Sequence, residues 1–145
     1  MNIPQYITVE EVQRVCKELG IRDWTTLTSP EVKSDEAQAI LKEVNIKGMN
    51  IDPEDFRRGL EVELEHGTEF EDANVTNNHP ILTGMIVLAH LKETLDYYKR
   101  LDIAEIEADL MEAVISKNLD RIESKYKKLA KAQAALSQVV ANKVK

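Results

Sequence analysis

Apolar residues in this chain recur at intervals of three and four, the signature of helices that each bury one face. Val9, Val12, Val15 or Cys16, and Leu19 make the first such stripe. Thr8 precedes it as N-cap with Glu11 completing a capping box, and Gly20 follows as the left-handed stop. Ile21 to Thr28 reads as a connector whose Trp24 pins it to the core. A second stripe runs through Ala37, Ile40, Leu41 and Val44, with its start at Ser29-Pro30 or at Ser34. Asp52-Pro53-Glu54-Asp55 opens a third helix, combining an N-cap aspartate, proline in the first turn and acids at the positive end of the dipole. Phe56, Leu60 and Leu64 form its buried side. After a polar loop, Thr68 to His79, anchored only by Phe70 and Val75, Pro80 starts a fourth helix that continues to Leu101. It is apolar on nearly every side from Ile81 to Leu91, which predicts the central, most buried element, and Gly84 permits close approach of a neighbour.

Beyond Leu101 the pattern changes. Ile103, Ile106, Leu110 and Ala113 form one stripe, and Leu119, Ile122, Tyr126, Leu129, Gln133, Leu136 and Val140 form another, spaced as a heptad seam. The two are out of phase around Ser116 to Asn118, which predicts a break there. The fold class that follows is all-α: a small bundle of about four core helices with a long C-terminal helical arm, the seam running from 119 to 140. Isolated helices of this length are marginal in water, so the arm must pack on its own body or on another chain.

Charge sharpens that division. The chain of 145 residues carries −7 overall, but residues 117 to 145 hold +6 and residues 1 to 116 hold −13. An acidic helical domain, 1 to 116, followed by a basic arm, 117 to 145, points toward association. The single cysteine, Cys16, excludes an internal disulfide, no signal peptide is evident, and the richest apolar run is broken at His90 and Lys92. The expectation is a protein without a membrane span, cytoplasmic or carried in a virion.

The sharpest chemical feature is a mirrored pair. Glu63 stands three residues from His66, and His90 three from Glu93, so each helix presents a carboxylate and an imidazole in one direction. Both glutamates fall among apolar positions. If the helices are antiparallel the four side chains can converge on Zn²⁺, Mn²⁺ or iron, with Asp96 as a fifth ligand; di-iron bundles use a related Glu-x-x-His pattern but draw ligands from four helices. The competing reading is a set of buried polar groups that satisfy one another. His79 reads as an exposed cap residue. There is no Gly-rich phosphate loop, Cys-x-x-Cys, His-Glu-x-x-His or Gly-x-Ser-x-Gly, so no catalytic residues are assigned. Lys125, Lys127, Lys128 and Lys131 cluster as nucleic-acid contacts do, but the acidic body repels phosphate and Tyr126 sits on the seam.

The run FRRGLEVELEHG, then TG, AHLKE and DYYKRL, within residues 52 to 101, resembles a small bacterial and bacteriophage family catalogued as a domain of unknown function. The resemblance implies a helical fold and a phage or prophage origin. That family carries an acid before the proline of the fourth helix, where this chain has His79. Together these readings predict a non-enzymatic assembly protein, such as a head-associated virion component, with protein partners through self-association or a larger assembly. The alternative is a metal-binding helical protein using the Glu and His cluster.

Overall fold

Local signals set most helix starts in the computed structural model, which describes residues 6 to 143. Helix α1, Val9–Leu19, begins where the Thr8 hydroxyl accepts from the Glu11 N–H at 3.2 Å, and ends where Gly20 takes φ +69°. Helix α3, Pro53–Glu69, begins where the Asp52 carboxylate accepts from the N–H groups of Glu54 and Asp55. Helix α2, Ser34–Val44, takes the later of its two candidate starts. Glu36 explains why: its carboxylate, 2% exposed, accepts from the Lys33 N–H at 3.0 Å, which fixes the first turn at Ser34 and leaves Pro30 outside. The same carboxylate accepts from the Arg22 backbone N–H and side chain, at 2.7 to 3.1 Å. Burial, the largest single influence, raises the Glu36 pKa, but the bonds from Arg22 and Lys33 outweigh it and hold the carboxyl below its usual range.

Helix α4, Pro80–Glu93, packs on α1, α2 and α3, while α2 and α3 also pack on each other. Phe56, Leu60 and Leu64 of α3, Ile40 of α2, Val12 of α1 and Val87 of α4 are essentially inaccessible, and Trp24 in a short 3-10 turn is fully buried among them. Gly84 is needed where α4 crosses α2: a Cβ there would stand 2.6 Å from Ile40 Cγ2. α4 is nevertheless buried on one side only. Met85, Ile86 and Ala89 face outward, so the helix expected to be enclosed on nearly all sides is a wall of the unit.

The fourth helix does not continue to Leu101. It stops at Glu93, Thr94 adopts extended backbone, and helix α5, Tyr97–Ile115, starts afresh after Asp96. The chain divides into two compact units at this point, residues 1 to 95 and 96 to 145. The boundary drawn on charge after residue 116 falls inside the second unit. That unit is a hairpin of α5 and α6, Leu119–Lys143. The break at Ser116 to Asn118 is present as expected. Lys117 takes φ +54°, its N–H bonds to the Val114 carbonyl, and the Asn118 N–H bonds to the Ala113 carbonyl, a Schellman stop. Asn118 then caps α6 by accepting from the Arg121 N–H. Among the described residues there is no strand, and no helix is long and apolar enough to cross a membrane.

Candidate functional site

Packing of α3 on α4 brings their two Glu and His motifs toward each other only in part. The Glu63 carboxylate is largely buried, with His66 Nδ1 at 3.8 Å from one oxygen and His90 Nε2 at 3.7 Å from the other. These are ion-pair separations, longer than hydrogen bonds. His90 is partly shielded, whereas His66 is mostly exposed at the mouth of the site. Glu93 does not join them. It lies exposed in the last turn of α4, although it shares a side of the wheel with apolar residues, because the buried side of α4 carries Pro80, Thr83, Gly84, Val87, Leu88 and Leu91. Asp96, the suggested fifth ligand, belongs to the second unit, where it is buried and pairs with Arg100 at 3.1 Å and Lys143 at 3.2 Å. No group of three or more His, Cys, Asp or Glu side chains is placed to hold a metal ion among the described residues. What the geometry does provide is one shielded carboxylate flanked by two imidazoles.

The loop after α3 roofs this carboxylate, and its hold is not the expected one. Phe70 and Val75 both project into solvent. Side-chain amides do the anchoring instead: Asn74 donates to the Gly67 carbonyl at 3.2 Å and to Asn78 Oδ1 at 3.1 Å, Asn77 donates to the Ile7 carbonyl at 2.6 Å, and Asn78 donates to the Trp24 carbonyl at 3.5 Å. Asn77 and Asn78 take φ +49° and +60°, a conformation that asparagine tolerates better than most side chains. A Cβ at Gly67 would meet Asn78 Oδ1 at 1.9 Å, so any larger residue there would push the Asn78 amide from its place in the clasp. Glu63, His66, Asn74, Thr76, Asn78 and Thr83 line a cavity of about 160 Å³, next to a larger polar cavity of about 320 Å³ lined by Thr25, Thr68, Asn74, Asn77 and Asn78. The run of asparagines was visible in the sequence, but its role depends on carbonyls supplied by α3 and by the connector at Trp24.

His79 ends the loop as a buried cap. Its Nδ1 accepts from the Leu82 N–H at 3.4 Å, which requires the neutral ring, and burial pushes its pKa down. The exposed cap residue expected from sequence is therefore a cap but not an exposed one, since Pro80 and Thr83 hold it against the core. Cys16 is also buried, and burial pushes its thiol up.

The seam residues of α6 fall on two sides. Ile122, Leu129 and Leu136 are half-buried together with Lys125, Ala132 and Val139, and these mark the side turned to α5. Leu119, Tyr126, Gln133 and Val140 are exposed. The expected seam thus mixes one row that faces α5 with one that faces out, because the packing side is centred between Lys125 and Ile122 and a seam read from apolarity alone is drawn toward Tyr126. The basic residues of the arm find acids on α5: Arg121 bonds to Glu112 at 2.6 Å and to Asp109 at 3.4 Å, and Lys125 also pairs with Asp109.

The model of one family, described as a protein of unknown function (DUF5661), matches residues 12 to 107. This chain belongs to the DUF5661 family. The DUF5661 match is broader than the 52 to 101 core, spanning α1 to α4 and the first half of α5, and it stops before the hairpin turn and α6. No curated protein and no solved structure matches the chain.

Proposed function

We propose that this DUF5661 member is a non-enzymatic protein that works by assembly, and that it engages its partner through the outward side of the α5–α6 hairpin. The observation that carries the reading is the set of large apolar side chains left in solvent there: Leu119 is 78% exposed, Ile115 74%, Tyr126 65% and Met111 61%. So many large apolar side chains exposed on one small hairpin exceed the isolated exposures ordinary on a monomer. In extract of its native cells the chain should travel in native electrophoresis well above its own mass, and Leu119→Ser with Tyr126→Ser should return it to the monomer position. Migration of the unaltered chain as a lone monomer in that extract would overturn the reading. Its finer form, a virion component, draws on the resemblance of residues 52 to 101 alone, and is tested by looking for the chain in purified particles.

One second reading is metal binding by Glu63, His66 and His90, whose imidazoles stand 3.8 and 3.7 Å from the Glu63 oxygens and would have to rearrange to close around an ion. Native mass spectra recorded without chelator or histidine tag would then show stoichiometric zinc, manganese or iron, lost in the His66→Ala, His90→Ala double variant. Metal-free spectra after incubation with each ion would eliminate it.

A further inference from the structure

The hairpin's two helices are opposite in charge and apolar on the same side. α5 holds five acidic residues against two basic, and α6 six basic against two acidic. At about 100° per residue, Leu119, Tyr126, Gln133 and Val140 lie roughly a quarter-turn from the α5-facing side of α6. On α5 the inward positions are Ile106, Asp109 and Ala113, and Ile103, Leu110 and Val114 lie roughly a quarter-turn away in the same rotational sense. Two antiparallel helices with stripes displaced in the same sense carry both stripes on one flat face. Val114, Leu119, Tyr126 and Val140 expose on the order of 400 Å² between them, about half of the roughly 800 Å² that each partner contributes to a standard interface.

We propose that this face binds a second copy of the chain, two hairpins forming a four-helix arrangement in which α5 of each copy lies antiparallel on α6 of the other. This rests on the assembly reading above and names its partner. Charge selects the copy and the orientation. Laying α6 on the second copy's α6 would set basic helix on basic helix, and α5 on α5 acid on acid, whereas crossing them sets each helix on its electrostatic complement. A two-fold axis along the helices does this and keeps both turns at one end. Glu107 and Lys127 each stand eight residues from the turn-side end of their helix, so the axis brings Glu107 of one copy level with Lys127 of the other. Both are exposed, Glu107 beside the apolar stripe and Lys127 about a quarter-turn beyond Tyr126, where it pairs with Glu123 of its own helix.

Sedimentation velocity of the full chain from micromolar to several hundred micromolar tests this, with circular dichroism to verify folding. The expected result is a dimer whose dissociation constant rises at least tenfold in the Leu119→Ser, Tyr126→Ser variant. Glu107→Lys alone should weaken it several-fold, and adding Lys127→Glu should restore it. A monomer at every concentration overturns the proposal, as does a dimer indifferent to the apolar substitutions. A dimer that the charge exchange fails to rescue overturns the crossed arrangement. A chain that is monomeric when pure but travels in a larger complex in native extract refutes the second copy and leaves the assembly reading standing; a lone monomer in both refutes both.

Discussion

His79 shows how a single side chain changes meaning between sequence and structure. As the acceptor that caps α4, its Nδ1 must be unprotonated, and a positive ring there would also face the positive end of the helix dipole. Burial lowers its pKa in the folded state, while Glu11 nearby pulls the other way and Arg14 reinforces the lowering. Because the folded value lies below the unfolded one, about 6.5, the unfolded chain binds more protons between the two. The contribution of His79 is therefore fully present above pH 6.5 and is lost as pH falls through the folded value. His79→Asn keeps an N-cap acceptor without titrating. Urea midpoints at pH 8, 6.5 and 5.5 should show a steeper acid loss in the native chain than in the variant; equal slopes would remove His79 as the cause. The caps at Thr8, Asp52 and Gly20 were legible because each depends on residues one to three positions away. Glu36 was not, since its main partner, Arg22, is fourteen residues off in an irregular connector.

Among the elements, α4 is the one whose packing is least apparent from its pattern. An apolar run predicts burial but not on which side, and the deciding feature is Gly84, where α2 comes close enough to exclude a methyl group. Gly84→Ala gains up to about 1 kcal/mol of helix propensity and forces overpacking against Ile40, which typically costs about 1–3 kcal/mol. The expected outcome is net destabilisation of about 1–2 kcal/mol by chemical denaturation, and a more stable variant would show that Ile40 yields freely. Ile81 and Met85 of α4, with the buried Leu88 beneath them, join Val44, Ile46 and Met49 around an apolar groove of about 320 Å³. The break between α4 and α5 escaped the sequence reading because Thr94, Leu95 and Asp96 contain neither glycine nor proline.

At the scale of the molecule the two units differ in how they are held. Buried apolar residues from Val12 to Leu91 fill the first, while in the second only Tyr98 and Ala113 are buried apolar residues among those described. The hairpin relies instead on half-buried side chains and on the ion pairs of Asp109, Glu112 and Asp96. Residues 1 to 95 expressed alone should therefore melt cooperatively with helical circular dichroism, and residues 96 to 145 alone should show a broad, weakly cooperative transition at low concentration. A fragment of residues 1 to 95 without a cooperative melt would show that its core is incomplete.

The sequence by itself determined the helices, most of their ends and the all-α class, because periodicity, caps and turn residues act over a few positions and need no distant partner. It also marked Glu63, His66, His90 and Glu93 as neighbours along their helices. Only the tertiary structure decided that Glu63 takes both imidazoles while Glu93 stays in solvent, that asparagines rather than Phe70 and Val75 clasp the loop, and that α6 spends half its seam on α5. Those outcomes depend on which face of each helix meets another, and a rotation of a quarter-turn, invisible in apolar spacing, separates a buried row from an exposed one.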